Sequence, residues 1–596
     1  MTGYVAVAAA GAPSVLHQVC RLPDGTRLAA DVCLPAGGRP APAVLLRTPY
    51  GRYQHRAEGA GWARHGFAFV ASDVRGRYDS EGAWQPYRSE RGDSPAVVGW
   101  VADQPWCDGR VIVAGGSYAA FTAWCAAISA HQAIAAVISM VPAMGLRAVH
   151  VDAGGILHLA SAAGWWVTHG DASVSRPGAF AAALRADRAA LHHLPVGDLP
   201  GRLRVDLPSW PAVLAAAEQP AGEEETAAIR DEELAAVAVP VLHVGGWHDG
   251  FIGQTLQQWR LAGRDVHPRP DRGLIIGPWA HDLRFDVPYQ LGDRDFGPAS
   301  RFALGRAQVR WLGWVLTEAA GSPPAPQARV DEPVRIFLMG DNRWVDLAAP
   351  DDTHGQPVEP VEPVEPVEPV EPVEPVEPVE PVEPRRRVLY AGPDGRLHGQ
   401  PATVGGTDEF AYDPVDPTPS HHVPAHRDDL ARRVDVAGYT TAALARPLHI
   451  IGSPQVTLYA CTDAPATDWA ARLYEVFPDG RRIPFSDGIV DAHAAAARAG
   501  GPPPLPGRPQ RVHIPLSPTA LVIPAGHRLR LEVGSADFPE HARTFNTGGD
   551  RHTAVVGQVA HQRVLFGPDT PTRVALPDDL WMDPDEGEDR GPGGPL

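Results

Sequence analysis

Over the first 350 residues, short apolar runs recur, each ending near a Gly, Pro, Asp or His and followed by a longer stretch of helical character. Runs at 15–21, 26–34, 43–47, 68–72, 111–114, 133–140, 241–245 and 274–276 predict β-strands. The first two flank Pro23-Asp24-Gly25, which predicts an opening hairpin. Strands alternating with helices predict a mostly parallel sheet covered by helices, an α/β class in which chemistry gathers at the carboxyl ends of the strands.

Two regions depart from that alternation. From about residue 146 to 234 the chain is rich in Ala and Leu, carries Trp165-Trp166 and several prolines, and offers no strand pattern. It reads as a helical insertion near the strand ends, placed to form a cap. Beyond residue 388 the pattern changes to short alternating strands, at 449–451, 455–459, 470–476, 511–514 and 528–533 among others. Pro478-Asp479-Gly480 and Pro524-Ala525-Gly526 supply turns between them. That pattern predicts an all-β sandwich or jelly roll. The expected division is a core of 1–145 and 235–350, a cap of 146–234, a linker of 351–387, a β domain of 388–580 and a disordered tail of 581–596.

The linker is set apart by composition. From Pro357 to Pro384, Val-Glu-Pro repeats nine times without interruption. Proline at every third position blocks helix and sheet hydrogen bonding, and like-charged glutamates repel, so an extended spacer is expected. The formal net charge of −19 argues against a nucleic-acid surface. Arg385 to Arg387, the one dense basic cluster, directly follows the acidic tract. The five cysteines are scattered singly with no C-x-x-C pair, so neither a zinc site nor a disulfide framework is expected. No run approaches the roughly 18 apolar residues of a membrane span, and no Lys or Arg precedes Arg21 to suggest a signal peptide. A cytoplasmic protein without membrane partners is the expectation, with homo-oligomerisation left open.

The candidate chemistry sits at three strand ends. Val111-Ile112-Val113-Ala114-Gly115-Gly116-Ser117-Tyr118 is an apolar strand, a tight Gly-Gly-Ser turn, and the start of an Ala-rich helix. A sharp strand-to-helix turn of this kind lifts a serine hydroxyl out of the sheet, and the Tyr118 N–H that follows can stabilise an oxyanion. The usual G-x-S-x-G pattern would place glycine at 119, where this chain has Ala119. An ordinary strand-to-helix turn is the competing assignment when the motif stands alone. Further along, one apolar run ends in Trp247-His248-Asp249 and another in Trp279-Ala280-His281. Ser, Asp, His is the chain order of the α/β-hydrolase triad. His281 would take the Ser117 proton, and Asp249 would hold the imidazole in the right tautomer. His248 and His243 read as packed or satisfied histidines. The pairs His248-Asp249 and His281-Asp282 lack the further ligands a metal site needs, so no metal and no cofactor is expected.

With these segments, Arg47-Thr48-Pro49-Tyr50, the run Asp73 to Gly82, Gln104-Pro105-Trp106, Tyr412-Asp413-Pro414, Gly526 to Leu531 and Asn546-Thr547-Gly548 resemble the cocaine esterase and X-Pro dipeptidyl peptidase family. That family also includes α-amino acid ester hydrolases and glutaryl acylases. The resemblance runs through most of the chain outside the repeat and the tails. It implies an α/β-hydrolase core, a helical cap and a C-terminal jelly roll shaped like a galactose-binding domain. It also implies that Tyr50 gives a hydroxyl to the oxyanion hole beside the Tyr118 N–H. Similar proteins commonly carry tyrosine where this chain has His248.

Asp73, Arg75, Arg77 and Asp79 read as a salt-bridged loop bracing the site. Trp165, Trp166 and Phe251 are candidate walls of a substrate pocket, with core packing the competing assignment. The substrate expected is a small acyl ester. An X-Pro dipeptidase, an amino-ester hydrolase or an acylase would need carboxylates placed for a free ammonium; Glu218, Glu223 to Glu225 and Asp231 to Glu233 are candidates, although such runs are usually solvated faces. A binding protein with a vestigial triad is the non-enzymatic alternative.

Overall fold

Each of the eight apolar runs of the first 300 residues forms a strand of one sheet: β1 (Val15–Arg21), β2 (Arg27–Cys33), β3 (Ala41–Thr48), β4 (Ala68–Asp73), β5 (Cys107–Gly116), β6 (Ile134–Met140), β7 (Val241–His248) and β8 (Arg272–Ala280). The computed structural model describes residues 15–151, 154–218, 228–318, 334–347 and 386–581. The readings of the first residues, of the Val-Glu-Pro tract, of Glu223 to Glu225 and of the acidic tail fall outside these.

The strand order is β1-β2-β4-β3-β5-β6-β7-β8. β1, β2 and β4 pair antiparallel, and every pair from β4 to β8 is parallel. This is an α/β-hydrolase core. Because side chains alternate across a strand, successive residues serve opposite faces. Val44, Leu46, Ile112 and Ala114 enter one hydrophobic core, and Ala43, Leu45, Val111 and Val113 the other. Burial on both faces explains why these runs are continuously apolar. Helix α1 (Tyr118–Ala127) follows β5 directly, and all ten of its residues are buried; its five alanines let it lie close to the sheet.

Two strands the sequence reading had not anticipated extend the sheet. Val334–Leu338 pairs parallel with β8, and Arg343–Leu347 closes the edge antiparallel. The outer of the two has no buried residue, and its Asp346 pairs with Arg335 of the inner strand at an exposed site. No long apolar run marks them.

Between β6 and β7 the described chain forms only helical elements and two isolated bridges, Val151 with Leu157 and His158 with His541 of the later β region. Helices Leu159–Trp165, Ala179–Ala186 and Trp210–Glu218 build a hydrophobic cluster of their own. Strands between Arg387 and Leu576 form an antiparallel β domain whose principal sheets have seven and four strands. The helical segment docks on it through Ala160 N–H to the Pro539 carbonyl (3.1 Å) and Ala542 N–H to the Leu157 carbonyl (2.8 Å). His552 Nδ1 and Glu218 meet at 2.8 Å across the same seam. No helix among the described residues is long and apolar enough to cross a membrane.

Candidate active site

Ser117 lies between β5 and α1 with φ 56° and ψ −123°, a conformation an L-residue holds only where the surroundings impose it. Two things impose it here. The Ser117 N–H donates to the Met140 carbonyl of β6 at 3.0 Å, and its carbonyl accepts from Ala120 N–H at 3.0 Å. The close approach falls on Gly115: a Cβ there would lie 2.4 Å from the Ala119 carbonyl carbon. Alanine at 119 is therefore accommodated because residue 115 has no side chain.

Asp249 is the first residue after β7 and His281 the first after β8, adjacent strands of the sheet. Their side chains meet with His281 Nδ1 2.8 Å from Asp249 Oδ1. Gly246 permits the approach, since a Cβ on it would meet the Trp279 carbonyl oxygen at 2.2 Å. Asp249 is buried, whereas the His281 side chain is 47% exposed. A bond to a buried carboxylate leaves Nε2 as the free nitrogen, the arrangement a general base requires. The Phe251 ring stands edge-on to the His281 ring at 5.2 Å.

Tyr50 closes the opposite side. Its phenol oxygen lies near the Ser117 hydroxyl and the Tyr118 backbone N–H, close enough for both to oppose the rise of its pKa. The Trp165 indole N–H donates to the same oxygen at 3.3 Å. Trp165 is the donor in that contact, which leaves the phenol's own O–H to donate elsewhere. Burial holds the Tyr50 phenol above its ordinary pKa, opposed by Trp165, Ser117 and the nearby Arg77 cation. It is a neutral donor at neutral pH. The Tyr118 side chain points away from this chemistry: its hydroxyl donates to the buried Glu90 at 2.7 Å and accepts from Tyr87 N–H.

Of the three aromatic residues anticipated as pocket walls, the structure brings two to the site. Trp165 stacks parallel on the Tyr118 ring at 6.3 Å. It also lines a cavity of about 660 Å³ between the helical segment and the β domain, with His169, Phe180, Arg188, His422 and Glu540. Phe251 flanks His281. Trp166 lies in the helical segment's own core, 3% exposed, its indole N–H bonded to His150 at 3.0 Å. Adjacent residues on a helix point about 100° apart, so one tryptophan of the pair faces the cavity and the other does not.

His248 is partly buried with its Nε2 unpartnered, and burial pushes it down to about 3. His243 is wholly buried in the core. His169 was not anticipated. Its ring stands edge-on to Tyr50 at 4.8 Å, and burial, aided by Arg77, pushes it down to about 4, so it is neutral at pH 7. Nothing in its local sequence, Thr168-His169-Gly170, distinguishes it from a surface histidine.

The charged cluster after β4 braces the loops. Arg52 pairs with Asp31, Asp73 and Asp79, and Arg75 with Asp93 and Asp24. Arg77 alone has no carboxylate partner among the described residues. The side chains proposed as ammonium binders are engaged elsewhere: Glu233 with Arg91, Asp231 with Gln257, and Glu218 with His552. Glu218, Asp550 and His552 bring three possible metal-ligating atoms within 4.8 Å of one another, away from Ser117 at the seam with the β domain.

Comparison with known proteins places this architecture. Residues 24–282 match the X-Pro dipeptidyl-peptidase (S15 family) description, and residues 333–575 match the X-Pro dipeptidyl-peptidase C-terminal non-catalytic domain. The chain is 30% identical to the cocaine esterase of Rhodococcus sp. (strain MB1 Bresler), covering 93% of this chain and 96% of that one. It is 25% identical to a putative serine esterase of Mycobacterium bovis over 87% of this chain and 90% of the other. Among solved structures, an α-amino acid ester hydrolase superposes with a TM-score of 0.77 at 22% identity, covering 97% and 98% of the two chains. An aminopeptidase from a marine sediment Thaumarchaeota archaeon gives the same score and identity over 95% and 96%. The chain belongs to the cocaine esterase and X-Pro dipeptidyl-peptidase (CocE/NonD) family of serine hydrolases.

Proposed function

We propose that this protein hydrolyses small acyl esters through an acyl-enzyme on Ser117. His281 removes the Ser117 proton as the oxygen attacks the carbonyl carbon, then returns it to the leaving alcohol. Water, deprotonated by the same imidazole, attacks the acyl-enzyme and releases the acid. Asp249 orients His281 and stabilises the imidazolium. The oxyanion of each tetrahedral intermediate is taken by the Tyr50 hydroxyl and the Tyr118 N–H. The observation that carries this reading is the closeness of the Tyr50 phenol oxygen to Ser117 and the Tyr118 N–H, together with a histidine bonded to a buried aspartate at the ends of strands of the same sheet.

The engagement of Glu218, Asp231 and Glu233 away from Ser117 favours an ester over a substrate recognised by its ammonium group. One observation favours the second reading, an aminopeptidase or amino-ester hydrolase. Glu540 lines the cavity beside Trp165 and is held by Ser161 at 2.7 Å. Burial would raise its pKa, but His158 and Ser161 hold it below the ordinary carboxylate range. It is an anion that could meet an amine.

A fluorophosphonate probe should label folded protein at Ser117 and leave Ser117→Ala unlabelled; an unlabelled wild type would end the enzymatic reading. Side-by-side turnover of a p-nitrophenyl acyl ester and a Gly-Pro anilide decides the substrate. Faster cleavage of the anilide, lost in Glu540→Gln, would replace the ester reading by the second.

A further inference from the structure

Arg77 is fully buried, yet it pairs with no carboxylate among the described residues. A buried guanidinium is costly unless its N–H groups are bonded, and the acceptors here are all neutral oxygens from two separate parts of the chain. Nε donates to the Pro49 carbonyl at 2.7 Å. Nη1 donates to the His169 carbonyl at 3.1 Å and to the Ala172 carbonyl, and Nη2 to the Ser175 hydroxyl at 2.8 Å. Pro49 immediately precedes Tyr50; residues 169–175 follow the turn of helix that carries Trp165.

The next residue repeats the pattern. The Tyr78 hydroxyl donates to the Tyr50 carbonyl at 2.9 Å and accepts from Ser175 N–H at 3.2 Å. The Tyr78 backbone N–H donates to the Ser173 carbonyl at 2.8 Å. Trp84, whose ring lies 5.1 Å from the Arg77 guanidinium, donates its indole N–H to the His169 carbonyl as well. Two consecutive side chains thus grip the backbone on both sides of Tyr50 and tie it to the helical segment that supplies Trp165 and His169.

We infer that Arg77, with Tyr78, is a positioning residue for the oxyanion donor Tyr50: it fixes the backbone on which the phenol stands and locks the cap segment against it. The inference rests on the proposed role of Tyr50. It also explains an otherwise odd choice of partners. A carboxylate would neutralise the cation, whereas carbonyl dipoles bind it and leave a positive field over the site. That field favours a developing oxyanion and, together with burial, keeps His169 uncharged. A donor misplaced by about 1 Å can cost about 10²-fold in rate, so the bracket should show in kcat and not in KM.

The test is a double-mutant cycle on kcat and KM with a p-nitrophenyl ester. Arg77→Met should lower kcat by about 10²-fold with KM changed less than about 3-fold. Arg77→Lys, which keeps the charge but not the fork geometry, should recover part of that loss. In a Tyr50→Phe background, Arg77→Met should cost less than about 3-fold further, because the group it positions is gone. Full additivity in the double variant would overturn the inference while leaving Tyr50 as the donor. An unchanged kcat in Tyr50→Phe alone would instead sink the oxyanion reading on which it rests. Should Arg77→Met fail to fold, Tyr78→Phe carries the same cycle: it removes one hydroxyl from a half-buried residue, and independence from Tyr50→Phe would overturn the inference equally.

Discussion

The two halves of the site are built on different plans. On the donor side, Tyr50 is held by Trp165 and the Arg77-Tyr78 bracket, with groups from the core loops and from the segment between β6 and β7. On the proton-transfer side, among the described residues His281 has one hydrogen bond, to Asp249, one ring neighbour, Phe251, and a side chain nearly half exposed. The difference follows from what each half does. A donor aimed at developing charge gains by having no freedom left to lose at the moment of reaction. A base that must exchange protons with a leaving group and then with water gains from access and from one well-placed orienting bond.

The comparison predicts a graded set of effects. The proton-transfer half hangs on one bond, so Asp249→Asn should be the most costly orienting change, lowering kcat by about 10⁴-fold with KM little altered; a loss below about tenfold would show that His281 is oriented by something else. Tyr50→Phe removes one of two oxyanion donors and should cost about 10²- to 10³-fold in kcat. Affinity for a boronic acid that adds to Ser117 should fall in parallel, while KM should not. The donor half is redundantly held, so Trp165→Phe, which deletes only the indole N–H, should cost no more than about tenfold. A loss as large as that of Tyr50→Phe would break the claim of redundancy.

The smallest effect concerns the seam that closes the helical segment on the β domain. Burial and the adjacent Asp550 carboxylate push Glu218 up to about 7. Its folded-state pKa is raised, so the folded form holds a proton the unfolded chain gives up. Its contribution is therefore favourable at low pH and lost as pH rises from about 4.5 to about 7. The side chain is largely exposed, so the effect is screened, below about 1 kcal/mol. Thermal melts should show Glu218→Gln more stable than wild type at pH 8 and equal to it at pH 5. The reverse ordering would mean that the ion pair with His552 outweighs the repulsion from Asp550.

Much of this was legible in the chain before any fold was drawn. Period-two and continuous apolar runs are local signals, and they placed the central strands to within a few residues. The ends of β5, β7 and β8 then carry Ser117, Asp249 and His281 in the expected order. The strands Val334–Leu338 and Arg343–Leu347 were not legible, because the apolar run Ile336 to Met339 is only four residues long and the outer strand carries Arg343 and Asp346 among its five residues. Trp165 and Trp166 looked equivalent. Which of them reaches the cavity depends on the rotation of one helix against the sheet, a tertiary variable that composition does not encode.

The sequence by itself determined the order of elements, the tight turn at Ser117 and the identity of the three triad candidates, because each of these rests on neighbours a few residues away. The tertiary structure decided what surrounds them. Arg77 looked like one member of a salt-bridged cluster, and only the folded chain shows its acceptors to be the Pro49 carbonyl and groups from residues 169–175, about 28 and 92 to 98 positions distant. Hydrogen bonds to backbone oxygens carry no side-chain signature, so no reading of residue types could have found them.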